Sequence, residues 1–359
     1  MSAAGGSLIV ERCLDAGFAA AGVCGVAPSE HEAAFRAWLD AGKHGSMSWL
    51  ADHADVRTDP AKLLDGAKSC VMVADLYQTR VGSREPSVAG FGRVARYARG
   101  RDYHSVMKRR LHAICDRLRE EMPGAAFRSF VDSAPAMERE LAGRAGIGAA
   151  GKHTLLIHPK LGSYVVLGGF VTTLELEAPP GQSLVGDMCG SCTRCIDACP
   201  TDAITPWSVD ATRCISYLTI ERELPIDPEY HEAIGDWLFG CDICQEVCPH
   251  NQPTRKARYR RDSVLPAYEP KRQGFDVLEV LGWDESARRS ALTVSAMKRV
   301  KLDAWKRNAV IVAGNCAGER PEVLERLKKV AGNASEGEVV KQAAREVLQR
   351  LREGEGDSH

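Results

Sequence analysis

The sequence predicts a multi-domain protein of the α/β (α+β) class, built from three consecutive segments. Strand-like apolar runs alternate with helical patterns from residue 8 to residue 180. Eight of the thirteen cysteines crowd between Cys189 and Cys248. The last third repeats apolar residues at helical spacing.

In the first segment, Phe35–Leu39 lies in a helical pattern and Ser69–Ala74 (SCVMVA) reads as a buried strand. Tyr103–Met122 sets Val106, Met107, Leu111, Ile114, Cys115 and Leu118 on one helical face and stops before Pro123-Gly124. Phe127–Val131, Thr154–Ile157 and Tyr164–Thr172 read as further strands, and Ala136–Ala145 as a helix. This alternation defines an α/β layer domain over 1–180. Pro179-Pro180-Gly181 breaks the chain, and a cysteine-rich module follows over 181–260. It ends in a basic connector of Arg255, Lys256, Arg258, Arg260 and Arg261. Residues 261–359 are helical. One helix covers Asp303–Asn315, and a second starts at Pro321 with Val323, Leu324, Leu327 and Val330 on one face. A third carries Val340, Ala343, Ala344, Val347, Leu348 and Leu351. The short gaps between them predict antiparallel hairpins of a small helical repeat.

A formal net charge of −1 gives no global pull toward nucleic acid or membrane, so either partner would need a local patch. No stretch approaches the roughly 18 apolar residues of a membrane span, and the N-terminus lacks the pattern of a signal peptide. The expectation is a cytoplasmic protein with no membrane partner. In a reducing compartment disulfides explain the cysteines poorly, and metal ligation explains eight of them. Cys13, Cys24, Cys70, Cys115 and Cys316 are expected to be small buried apolar residues.

The first run is Cys189-x2-Cys192-x2-Cys195-x3-Cys199-Pro200. Three thiolates at this spacing wrap one cubane, while the fourth points to a second cluster. Structural zinc pairs two separated C-x2-C knuckles instead, so iron–sulfur is the better reading. The second run, Cys241-x2-Cys244-x3-Cys248-Pro249, has Leu238 where a further cysteine would stand, and Cys214 can supply the missing ligand. The cross-ligated solution uses all eight: Cys189, Cys192, Cys195 and Cys248 for one 4Fe-4S cluster, and Cys199, Cys214, Cys241 and Cys244 for the other.

Gly146–Lys152 (GIGAAGK) fits both G-x-G-x-x-G and most of a P-loop, with His153 where Ser or Thr belongs. A helix precedes it and a strand follows, which reverses the nucleotide-binding order, so a close-packed loop is the better reading. Asp132 ends a strand beside Ser133-Ala134-Pro135. It is placed either as a general acid or as the cap of the following helix.

The segments CGSCTRCIDACPTDAI (189–204), CISYLTIE (214–221) and CDICQEVCPHN (241–251) resemble the epoxyqueuosine reductase family. The resemblance extends through RTDPAKLL (57–64), RYARGRDYH (96–104), VDSAPAMERELAGRAGIG (131–148) and GKHTLLIHPKLGS (151–163). It reaches RNAVIVAGN (307–315) more loosely. It implies an N-terminal cobalamin-binding domain like that of reductive dehalogenases, a two-cluster ferredoxin-like module and a short HEAT-like repeat. It implies reduction of epoxyqueuosine to queuosine at the tRNA wobble position, fed by an electron donor that the sequence does not identify. It further implies that Asp132 donates the proton and that Arg57, Tyr97, Lys152, His153, Thr154, Ser163, Ser216 and Asp242 lie near the corrinoid. Ala149-Ala150, His153 and His250 depart from the family's usual residues. The cobalt-ligating D-x-H-x-x-G signature is absent, since His231 lacks both flanking residues.

An anticodon stem-loop needs phosphate contacts, for which Arg222, Lys256, Arg258, Lys298, Arg299, Lys301, Lys306 and Arg307 are candidates. Each is alternatively a solvated surface charge. The chain is expected to act as a monomer. Two other functions compete: a corrinoid reductase of a small molecule, and a ferredoxin-type relay. The long first segment speaks against the relay, and the basic connector and helical C-terminus against the small-molecule enzyme.

Overall fold

The computed structural model describes residues 4–79, 87–253, 264–318 and 320–356. Helix α1 (Ala4–Asp15) leads into β1 (Ala20–Gly25), and β2 (Ser69–Leu76) is buried along its whole length. A short strand, β3 (Phe91–Val94), precedes α2 (Tyr103–Glu121), β4 (Phe127–Phe130), α3 (Glu138–Arg144) and β5 (Val165–Thr172). The main sheet has the order β1-β2-β5-β4 and is antiparallel throughout. Both faces of its centre are covered, which is why β2 and β5 read as unbroken apolar runs. On one face Val71, Val73 and Phe170 pack with Ile9, Val106, Met107 and Leu111 of α1 and α2. On the other Cys70, Met72, Ala74 and Val171 pack with Leu141 and Ala142 of α3. The period of two along β2 thus serves two helical layers.

Thr154–Ile157 is only half a strand. Leu156–Ile157 pairs with Ala149–Ala150, whereas Thr154 sits at φ +67°. A residue in that left-handed region cannot continue a ladder. Instead its N–H donates back to the Gly151 carbonyl at 2.8 Å and closes a turn.

A second sheet joins the three segments. β3 lies between β6 (Trp237–Phe239), to which it runs parallel, and β7 (Gly274–Asp276), to which it runs antiparallel. A Cβ on Gly274 would meet the Gly92 carbonyl oxygen at 2.0 Å, so the strands can approach only because this position is glycine. Arg93 pairs with Asp236 at 2.7 Å, and Arg96 with Glu246 at 2.7 Å and Asp242 at 3.2 Å, all buried.

The last helices are α4 (Leu302–Asn315), α5 (Pro321–Gly332) and α6 (Glu338–Gly356), with α6 against both others. They do not form a separate core from the cysteine module. Trp305 of α4 stacks on Phe239 at 5.7 Å and touches Phe275 and Trp283, and Val94, Leu218 and Trp237 belong to the same cluster. Among the described residues, no helix is long and apolar enough to cross a membrane. Cys13, Cys70 and Cys115 are buried, and Cys24 and Cys316 partly so.

Candidate active site and metal centres

β4 ends at Phe130, and two residues later Asp132 turns into the left-handed region at φ +47°. It is no helix cap, because α3 is capped at Met137 without a side-chain bond. Its backbone N–H donates to Glu138 Oε1 at 2.5 Å, and its carboxylate meets His104 Nε2 at 2.9 Å. His104 Nδ1 faces Asp102 Oδ1 at 2.7 Å, and the Tyr103 ring stacks on the imidazole at 4.0 Å. Asp102 also caps α2 through the His104 N–H, so helix start and acid site are one construction.

The proton distribution follows from these contacts. Burial would lower the His104 pKa, but its bonds to Asp102 and Asp132 outweigh this and lift it to about 9. Burial pushes Asp132 up, yet the bond to His104, the charge of His104 and that of Arg299 hold it below the ordinary carboxylate range. Glu138 is pushed up to about 8 by burial and by the Asp132 carboxylate. At neutral pH the protons therefore sit on His104 and Glu138, one bond away from Asp132. The Asp132 side chain keeps 48% of its surface accessible although protein surrounds it closely enough for burial to act, so it forms part of a wall open to solvent.

Arg57 and Tyr97 join this wall. Arg57 feels the charges of Glu138 and Asp132 and donates to the Ala136 carbonyl at 3.3 Å. Tyr97 packs between Tyr103 and Phe239, and burial followed by the Asp132 charge keeps its phenol protonated. Sequence reasoning missed Asp102, Tyr103, His104 and Glu138. The signal was in RYARGRDYH and VDSAPAMERE, whose residues come together only through the fold.

The eight cysteines fall into two groups of mutually acting thiols. Cys195 is raised by burial and then by Cys189 and Cys192, and Cys248 to about 11 by burial and by Cys189, Cys195 and Cys192. Cys214 is raised by burial and by Cys199, and Cys241 by burial, Cys244 and Cys214. Cys244 responds to burial, Cys214 and Cys199, and also to Cys195 of the first group, so the groups are neighbours. Two adjacent sets of four sulfur donors fit two cubanes.

Lys152 and His153 occupy the seam between this module and the first domain. The Lys152 ammonium donates to the carbonyls of Gly190 at 2.7 Å and Cys192 at 3.0 Å. It thus turns to the cysteine loop, away from a nucleotide phosphate. His153 Nδ1 accepts from the Leu155 N–H at 3.1 Å, leaving Nε2–H as a buried donor without a partner among the described residues. Arg57 Nε is a second such donor. Two orphaned donors near the acid wall fit a cofactor that carries carbonyl oxygens, as the side-chain amides of a corrinoid do. Thr154 is held by Arg139 through its carbonyl at 2.7 Å, and Ser216 is half-buried in the helix Ile215–Ile220. Ser163 and Asp242 differ from the expectation. Ser163 is buried and bonded to Gln245 and Asn251, while Asp242 accepts from Arg96, so both are spent on protein contacts. His231 is buried with Nε2 on the Ile226 carbonyl at 3.0 Å, consistent with no ligand role.

Of the basic candidates, Lys298 and Arg299 stand beside the acid site. Lys298 reaches Asp102 at 3.2 Å and Arg299 pairs with Glu221 at 2.8 Å. Lys301 is exposed and pairs with Glu223. Arg307 and Lys306 must be reassigned. Arg307 is fully buried and donates to the carbonyls of Leu218, Arg222 and Leu224, and Lys306 is tied to Glu336 at 2.9 Å with both side chains 10% exposed. Arg222 is half-buried, with Nε on the Pro225 carbonyl. Lys256 and Arg258 lie outside the described residues.

An acid–imidazole wall in an α/β domain, joined through one loop to paired thiol quartets, defines an iron–sulfur oxidoreductase. Comparison with known proteins narrows the class. Residues 188–251 match the 4Fe-4S double cluster binding domain, and residues 57–133 match the family described as epoxyqueuosine reductase QueG, DUF1730. The epoxyqueuosine reductase of Vibrio cholerae is 37% identical over 91% of this chain and 87% of its own length. That of Synechococcus sp. is 42% identical over 77% of this chain and 83% of its own. A crystal structure of epoxyqueuosine reductase with an epoxyqueuosine-modified tRNA-Tyr stem loop superposes with a TM-score of 0.83 at 26% identity, covering 96% of this chain and 89% of that one. The Bacillus subtilis enzyme, in a structure whose catalytic aspartate loop is swung out of the active site, gives 0.81 at 26%, covering 94% and 88%. The chain belongs to the epoxyqueuosine reductase family.

Proposed function

We propose that this chain reduces the epoxide of epoxyqueuosine in tRNA to queuosine, with Asp132 as the group that hands protons to the epoxide oxygen. The observation that carries the assignment of Asp132 is its half-exposed carboxylate in hydrogen-bond contact with a protonated His104. Removal of the oxygen as water consumes two electrons and two protons. Cobalamin, when bound, supplies a low-potential metal at the substrate, and two 4Fe-4S clusters held by the cysteine quartets supply electrons one at a time.

The rest is done by the chain's own side chains. Arg57 Nε and His153 Nε2–H are free to hold corrinoid amide oxygens, and Tyr97, Thr154 and Ser216 line the approach. Asp132 takes the His104 Nε2 proton as the epoxide oxygen develops negative charge and passes it on. The same pair, reloaded from solvent at the half-exposed wall, delivers the second. Lys298, Arg299 and Lys301, together with Arg222 and with Lys256 and Arg258 of the basic connector, supply phosphate contacts. The flipped wobble base then reaches Asp132. The chain works as a monomer in the cytoplasm, and its electrons come from a separate donor protein.

The test is turnover of epoxyqueuosine-containing tRNA by the cofactor-loaded chain under a low-potential reductant. Queuosine should accumulate, and the Asp132→Asn variant should lose at least 100-fold in kcat. No queuosine from fully loaded wild type would overturn the function, and wild-type turnover by D132N would overturn the assignment.

A further inference from the structure

We propose that Lys152 sets the reduction potential of the cluster held by Cys189, Cys192, Cys195 and Cys248, raising it through a backbone N–H···S bond and a buried ammonium group. This rests on reading those cysteines as cluster ligands.

The Lys152 backbone N–H donates to Cys189 Sγ at 3.4 Å, the only described backbone donor from the first domain recorded on one of these sulfurs. Its ammonium lies within the loop that carries Cys189 and Cys192, on the carbonyls of Gly190 and Cys192, and 5.7 Å from the Trp207 ring. The Trp207 N–H closes the other side by donating to the Lys152 carbonyl at 3.1 Å. Lys152 is only 7% exposed, and among the described residues no carboxylate pairs with it. An ammonium group buried without a counter-charge is unfavourable, so a nearby anion is expected. Two carbonyls engage two of its three donors and do not balance its charge. A cubane bearing four thiolates is anionic and becomes more so on reduction, which makes it the missing partner. Both the positive charge and the N–H···S bond stabilise the reduced form more than the oxidised form, and so raise the potential.

The location adds a reason. Two residues on, the Thr154 carbonyl is gripped by Arg139, whose neighbour Glu138 holds the Asp132 backbone. One short loop thus connects the proton-delivering wall to a cluster ligand.

The experiment is a redox titration of the full chain, reconstituted anaerobically with iron and sulfide but without corrinoid, followed by electron paramagnetic resonance. In K152Q one cluster's midpoint should move to more negative potential while the other stays, with iron content unchanged, and K152R should restore it. Two unshifted midpoints in a fully loaded K152Q would overturn the proposal. If K152Q loads incompletely, wild-type protein labelled with ¹⁵N-lysine decides. A ¹⁵N hyperfine coupling to one reduced cluster is expected, and its absence would overturn the proposal as well. Failure of the underlying ligand reading looks different: wild type would then show no reduced-cluster signal at all.

Discussion

Asp132 occupies a backbone conformation that costs a non-glycine residue on the order of 1 kcal/mol, and the Glu138 carboxyl and His104 ring hold it there. Because His104 binds its proton more tightly in the folded chain, its contribution to stability is fully present below about pH 6.5 and disappears as pH rises through about 9. Thermal melts of the wild type should therefore fall across that window, and those of H104Q should be flatter there. In turnover, the alkaline limb should follow His104 in the wild type and shift in H104Q; identical profiles would remove His104 from the proton path. Asp132 was legible as a strand-end acid. His104 and Glu138 were not, since they stand 28 and 6 residues away and nothing local marks their convergence. The rise of the Asp132 pKa that burial alone would produce also fails to appear, because the acid shares its proton with a histidine that the linear sequence does not point to.

Helix α4 shows how charge misleads at the level of the element. Lys306 and Arg307 read as a basic surface patch, yet the helix is buried on nearly every side from Ala304 to Gly314. The apolar run AVIVAG that follows was the available signal. Arg307 serves as a staple, because its guanidinium satisfies three carbonyls at the end of the Ile215–Ile220 helix and beyond. Replacing it with Met should cost about 3 kcal/mol through unpaired buried carbonyls, read as a lower denaturation midpoint. R299A should behave oppositely: an ordinary melt, with tRNA affinity several-fold weaker and a salt slope shallower by about 1. The helix positions of the C-terminal repeat follow from their spacing, since α5 and α6 each have one strongly apolar face and α4 a continuous apolar run. The two-cluster spacing was equally plain, because ligand geometry leaves its mark within a few residues.

Across the whole molecule, the segments near 1–180, 181–260 and 261–359 are tied by β3, β6 and β7, one strand from each. That tie was invisible beforehand: the strands are three or four residues long and their partners lie over 100 residues apart. Gly274→Ala forces a Cβ into the Gly92 carbonyl. It should destabilise the chain by more than about 2 kcal/mol and separate the melting of the main sheet from that of the cysteine module, whereas a single unshifted transition would show that the joint can relax.

The same three-strand joint has a consequence for how the protein is made. β3 leaves the ribosome long before Gly274 does, and at roughly 5–20 residues per second it waits on the order of 10 to 40 seconds for its second neighbour. In the second half of that interval the cysteine loops are synthesised while the seam that will shelter them is still open. Iron and sulfide can therefore enter before the last strand closes over β3, and nascent chains arrested just short of residue 274 should accept clusters more readily than the finished, metal-free protein.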